Sequence, residues 1–203
     1  MIARDLRFFL AAFVMATTAA ASPVSSATRA DELRQAQDEL AALRVRYDDQ
    51  HPRLAAARLR ISVWQRLEKE DRKEPLVLQR AWVERDVMRL RYLEKHPDFV
   101  AQQARVAGIE QQLKSAPASP DVLLEAAGEL AALGTHLAEK HPKYQDQTRK
   151  VAALRRHLLP AADGVSDELR LARAMQEYYG GRYDANHPKM QEIAAQIAAL
   201  EKR

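Results

Sequence analysis

The dipeptide His-Pro occurs four times, at His51-Pro52, His96-Pro97, His141-Pro142 and His187-Pro188, spaced 45, 45 and 46 residues apart. A fixed period in this range marks a repeat architecture, with one supersecondary unit per period. Aligned on the histidine, the chain shows apolar columns. Eighteen residues before it stand Leu33, Leu78, Leu123 and Leu169, and fifteen before it Ala36, Ala81, Ala126 and Ala172. Eight before it come Leu43, Met88, Leu133 and Tyr179, and four before it Tyr47, Tyr92, Leu137 and Tyr183. Three after it come Leu54, Phe99, Tyr144 and Met190, then Ile61, Val106, Val151 and Ile197 at ten, and Trp64, Ile109, Leu154 and Leu200 at thirteen.

These offsets alternate by three and four, the spacing of a helix that packs one seam on a neighbour. Each unit therefore predicts one amphipathic helix of about five turns before His-Pro and another after it. Proline is accepted in the first helical turn, where its missing N–H would be unpaired in any case. The residue before proline is pushed out of the α region, so the histidine is a natural break. The three-four register nevertheless runs through the proline without a phase shift, which a single kinked helix would also produce. The residue just before each histidine, Gln50, Lys95, Lys140 or Asn186, is polar, which favours a solvated turn.

The expectation is an all-α fold: four tandem αα-hairpin repeats of about 45 residues, in coiled-coil or helical-solenoid packing, after a cleaved signal peptide. The units run over about 31–74, 75–118, 119–163 and 164–203. Residues 1–21 read as the signal, with Arg4 and Arg7 ahead of an apolar stretch from Phe8 to Ala16 and Ala19-Ala20-Ala21 fitting a cleavage site. That stretch is short for a membrane span of about 20 residues, so an uncleaved anchor is the lesser alternative. Residues 22–30 read as a polar linker, with Thr28 or Asp31 as the first N-cap. Ser119 reads as N-cap ahead of Pro120, Ala161 to Gly164 as a turn, and Ser166 as the last cap. Gly180-Gly181 should stop its helix early. Arg85 and Gln176 fill a seam column held by Leu40 and Leu130 elsewhere, so units two and four should pack less closely.

Chemistry is sparse. With no cysteine, thiolate catalysis and disulfides are excluded. There is no phosphate-binding glycine loop and no paired-histidine zinc signature, so the chain reads as non-enzymatic, with no catalytic residue, metal ligand or cofactor assigned. The residues singled out form a structural turn motif: Tyr47, His51, Pro52, Tyr92, His96, Pro97, His141, Pro142, Tyr183, His187 and Pro188. The histidines serve to end one helix and start the next; a metal-handling role is the competing reading. The tyrosines cover the turn and bond its backbone through their hydroxyls; the competing reading is a sugar or aromatic ligand. The net charge is +4. Arg46, Arg91, His136 and Arg182 share one column, and Arg60, Arg105 and Lys150 another. They form either stripes for an acidic glycan or phospholipid headgroups, or a solvated face laced with i,i+4 ion pairs.

The stretch Tyr92-x-x-x-His96-Pro97-Asp98-Phe99-Val100, followed by Ile109 and Leu113, resembles a segment of the periplasmic coiled coil of bacterial polysaccharide chain-length determinants and co-polymerases. Unit one matches at Tyr47, His51, Pro52 and Leu54; units three and four match more loosely. The chain departs from that family in lacking its flanking membrane helices and kinase segment, and in carrying four tandem copies. The resemblance implies a coiled coil in the cell envelope and a link to polysaccharide export. The combined expectation is a periplasmic or secreted scaffold that binds an envelope protein, forms a homo-oligomer or not, and meets no nucleic acid. A chaperone-like or acidic-polymer-binding protein is the alternative.

The seam assignment predicts that Phe99→Ala and Leu154→Ala each lose about 2–4 kcal/mol. Denaturant unfolding measures this, and a loss under about 0.5 kcal/mol at both sites would show that these columns do not face the core.

Overall fold

The computed structural model describes residues 28–159 and 164–202. The expected signal peptide, most of the linker and the turn at 161–163 lie outside those residues. What is described is all-α, with no strand among the described residues. Eight helices follow in order: α1 (Arg29–Arg44), α2 (Pro52–Lys69), α3 (Leu76–Met88), α4 (Pro97–Ser115), α5 (Asp121–Leu133), α6 (Pro142–Leu158), α7 (Asp167–Gly180) and α8 (Pro188–Leu200). Each helix packs on the one before it and the one after it. The arrangement is that of a helical repeat. The helices flanking each His-Pro pair are separate elements in contact with each other, which removes the kinked-helix alternative.

The helix starts follow local chemistry. Thr28 opens α1 with a reciprocal capping box, its side chain accepting from Asp31 N while Asp31 Oδ2 accepts from Thr28 N at 2.9 Å. Arg29 and Ala30 are therefore helical and not linker. Ser166 caps α7 by accepting from Leu169 N at 3.2 Å, as expected. Ser119 does not cap α5: Pro120 holds that position and the helix begins at Asp121. The Ser119 hydroxyl is committed elsewhere, accepting from Gln112 Nε2 at 2.9 Å and donating to Ala116 O at 2.7 Å. At the end of α2, Asp71 takes φ +46° and the chain closes with Asp71 N on Glu68 O and Arg72 N on Leu67 O. This is the glycine-type helix stop, built here on an aspartate.

Two length expectations are corrected. α3, α5 and α7 hold 13, 13 and 14 residues, nearer four turns than five. Gly180-Gly181 does not shorten α7, which ends at the same distance from its histidine as α1 does. As expected, α3 with α4 and α7 with α8 meet over less ground than α1 with α2 or α5 with α6.

The aligned apolar columns face inward: every one of their residues is buried or half-buried. They build four clusters along the chain. Ala36, Val63 and Trp64 pack with Val83 and Val87 of α3; Leu78, Val106 and Ile109 pack with Leu124 of α5; Leu123, Val151 and Leu154 pack with Ala174 of α7. The last cluster, Leu169, Ala172, Ile193 and Ile197, joins α7 to α8. Each of the first three cores thus takes side chains from two consecutive helices and from the next one. Trp82 lies against both of the first two cores and donates through Nε1 to Glu110 at 3.2 Å.

The tightest approach is between α4 and α5. A Cβ on Gly108 would lie 2.6 Å from Ala131 Cβ and 2.9 Å from Ala127 O, and one on Gly128 would lie 2.8 Å from Ile109 Cγ1. Glycine costs a helix about 0.5–1 kcal/mol against alanine, and that cost is offset here by backbone contact no other residue allows. At Gly180 a Cβ would meet only Met190 Cε at 3.8 Å. Gly180→Ala should therefore stabilise by about 0.5–1 kcal/mol, whereas Gly128→Ala should destabilise by about 1–3 kcal/mol through overpacking. Chemical denaturation of the two variants checks the opposite signs.

Candidate interaction site at the His-Pro connections

The four His-Pro connections share one geometry. The residue four before each histidine keeps a helix-type bond to the carbonyl four further back: Tyr47 to Leu43, Tyr92 to Met88, Leu137 to Leu133 and Tyr183 to Tyr179, at 2.9–3.0 Å. The histidine N–H then bonds the carbonyl three before it, on Asp48, Leu93, Ala138 or Asp184. These are turn bonds: the preceding helix has already ended seven or eight residues before the histidine, at Arg44, Met88, Leu133 or Gly180. At the histidine the backbone is extended: φ and ψ are −64° and 133° at His51, −65° and 133° at His96, −66° and 134° at His141, and −63° and 133° at His187. These are the dihedrals proline imposes on its predecessor.

Each histidine is also the N-cap of the helix it begins. Its Nδ1 accepts the backbone N–H two residues on, from Arg53, Asp98, Lys143 and Lys189, at 3.2–3.3 Å. Histidine here does the work usually given to Ser, Thr, Asp or Asn; the sequence reading missed the capping bond, placed the start of the second helix correctly and put the end of the first one too late. Three of the rings are roofed by the tyrosine four residues earlier, stacked at 4.0, 4.0 and 3.9 Å between centroids for Tyr47–His51, Tyr92–His96 and Tyr183–His187. His141, behind Leu137, has no such roof and is the exposed one of the four. The rings cover the turn as expected, but their hydroxyls do not bond its backbone. Tyr47 Oη instead accepts from Arg53 Nη1 at 2.7 Å.

Between the helices lie polar contacts that apolar patterning could not show. At the position six after the histidine, buried Gln102 and Gln147 donate to Ala81 O at 2.8 Å and Ala126 O at 2.9 Å, the carbonyls of the alanine column. Gln112, also buried, accepts from Arg155 Nε and Nη2 and donates to Ser119, tying α4 to α6 across the start of α5. The in-phase spacing of those glutamines was the available signal, and their polarity hid it.

The basic columns are partly spent inside the molecule. Arg60 reaches Glu39 at 2.6 Å and Glu84 at 3.0 Å, linking α2 to α1 and to α3. Burial opposes its charge, but Glu84 and Glu39 outweigh that and hold the guanidinium above its ordinary pKa. Arg182 lies 3.2 Å from Asp146 and donates to Tyr178 Oη, which itself donates to Asp146 at 2.7 Å. The ion pairs run mainly between helices, with Arg170–Asp167 an i,i+3 exception, so the expected i,i+4 lacing is not what joins them. Arg46 and Arg91 carry no ion pair among the described residues.

Among the described residues no group of three or more His, Asp or Glu side chains lies close enough to hold a metal ion. The histidine Nδ1 atoms are engaged as caps, which leaves the metal-handling reading without support. Trp64 is a core residue. No helix among the described residues is long and apolar enough to cross a membrane.

The class this geometry defines is an all-α helical protein whose helices pair by contact, with packing suited to protein interaction. Comparison with protein-family models, with curated proteins and with solved structures finds no match.

Two predictions follow from the geometry. His96→Ala should cost about 0.5–2 kcal/mol through loss of the cap, while His96→Asn, which restores an acceptor, should cost little. Thermal unfolding of both variants compares them. Burial first, then the hydrogen bond to Asp146, pushes the Tyr178 pKa up from its ordinary 10.0 to about 12. A folded pKa above the unfolded one means that Tyr178 stabilises the fold fully below pH 10 and loses that contribution as pH rises through 12. Alkaline absorbance titration should show one late tyrosine, absent in Tyr178→Phe.

Proposed function

We propose that the chain is a non-enzymatic, exported scaffold of four tandem helical-hairpin units of about 45 residues, working in the bacterial envelope. The units are about 28–74, 75–118, 119–163 and 164–203, the first beginning at the Thr28 cap. Each hairpin turns at His-Pro and shares its core with the next, so a rod of stacked units presents long solvent faces to a partner. The observation that carries this reading is the repetition of one connection, with the same dihedrals and the same histidine cap, at His51, His96, His141 and His187.

The envelope location is supported by the charged and apolar pattern of residues 1–21. The link to polysaccharide export is supported by the Tyr-x-x-x-His-Pro resemblance. The partner is an envelope protein of an export or assembly complex.

Location is tested first. A phosphatase that is active only outside the cytoplasm, fused after Arg203, should be active, and the exported chain should begin at Ser22. An inactive fusion would reject export. Deletion should then change the amount or length of surface polysaccharide; unchanged polymer would remove that link.

A further inference from the structure

Of the large apolar side chains that stand out in solvent among the described residues, Val45, Leu90, Leu93 and Val100 lie in or beside the first two His-Pro connections; Leu159 is the other. Val45 is 87% exposed, Leu93 85% and Leu90 56%. These are near the exposure of an unfolded chain, and folding alone gives no reason for them. The equivalent places in the later connections hold Thr135 and Ala138, then Gly181 and Asp184. The apolar tips are therefore confined to two connections. Those two are neighbours: Leu43 and Arg53 from the first line one groove of about 340 Å³ together with Met88, Arg91 and Tyr92 from the second.

Cations outnumber acids around these tips. Two of the acids pair with other cations, Asp49 with Arg58 and Glu94 with Arg89 at 3.8 Å, while Asp48 accepts from Gln50 N. Arg44, Arg46, Arg91 and Lys95 have no acidic partner among the described residues. Protruding aliphatic tips set among unpaired cations fit the boundary of an anionic bilayer, where the tips enter the acyl edge and the cations meet phosphates. The core of a protein interface is instead depleted of charge.

We propose that the first two His-Pro connections dock the protein on an anionic lipid surface, with Val45, Leu90 and Leu93 entering the bilayer edge and Arg46, Arg91 and Lys95 meeting the headgroups. This goes beyond the scaffold reading and does not depend on it, because any anionic bilayer serves.

The chain has no cysteine, so a single introduced thiol can be labelled uniquely. Full chain carrying Leu93→Cys or, as control, Ala138→Cys is labelled with an environment-sensitive dye. It is mixed with vesicles of phosphatidylglycerol and phosphatidylcholine in equal parts, or of phosphatidylcholine alone. The dye at Leu93 should shift to the blue and be quenched by lipid-borne quencher on the anionic vesicles, while the dye at Ala138 should not. Comparing two positions in one chain separates docking at the connections from any attachment through residues 1–21. Adding Arg46→Gln, Arg91→Gln and Lys95→Gln to the Leu93→Cys chain should weaken the response about a hundredfold, each cation at an anionic surface contributing roughly a factor of five. Circular dichroism should stay unchanged, since these side chains are exposed. No shift at Leu93, an equal shift at Ala138, or the same response on phosphatidylcholine alone would overturn the proposal. A Leu93 dye that responds only to a purified envelope protein would assign the tips to a protein partner and overturn it equally.

Discussion

The structure depends on what proline does to the residue before it. The preceding helices end at Arg44, Met88, Leu133 and Gly180, and the chain then turns toward the histidine, whose conformation sets where the next helix begins. The ring of each proline bars its histidine from the α region, and the histidine then converts a break into a start by offering Nδ1 to the second amide of the new helix. The start of each second helix is thus fixed by two adjacent residues. The tyrosine roof is an addition to this device and not a condition of it, since Leu137 stands in its place and the connection at His141 keeps the same dihedrals.

The connections alone would leave pairs of helices too small to bury their seams. The cores answer this by taking a helix from the following pair: Val83 and Val87 complete the first, Leu124 the second, Ala174 the third. Polar links run the same way. Arg60 joins Glu39 to Glu84, and Gln112 joins Ser119 to Arg155. Stability is therefore shared along the chain, and a change at one junction reaches both neighbours. The last core, among the described residues, takes its buried side chains from α7 and α8 alone and is the slightest of the four.

What could be read from residues in order was whatever repeats at fixed spacing. The period, the helical class, the inward columns, the break at His-Pro and the cap at Ser166 all come from local sterics and from burial of apolar area, which act on near neighbours in sequence. The histidine cap was less visible because histidine is seldom used so. The buried glutamines were invisible to an apolar template although Gln102 and Gln147 sit in phase with it. The candidate docking tips were also hidden, since Val45 and Leu93 stand outside the seam columns and only the structure shows how far they are exposed.

Sequence by itself determined that the chain is helical, where it breaks, and which faces turn inward. The reason is that proline geometry, capping and three-four periodicity are properties of a few consecutive residues. Tertiary structure decided how the helices meet. It put Gly108 and Gly128 where no Cβ fits, took Arg60 and Arg182 out of the basic columns and into ion pairs, and gave Ser119 to Gln112 instead of to the helix start. It also left Arg46 and Arg91 unpaired beside exposed Val45 and Leu93. Each of these outcomes depends on which residues of other helices arrive within a few ångströms, and no spacing along one chain encodes that distance.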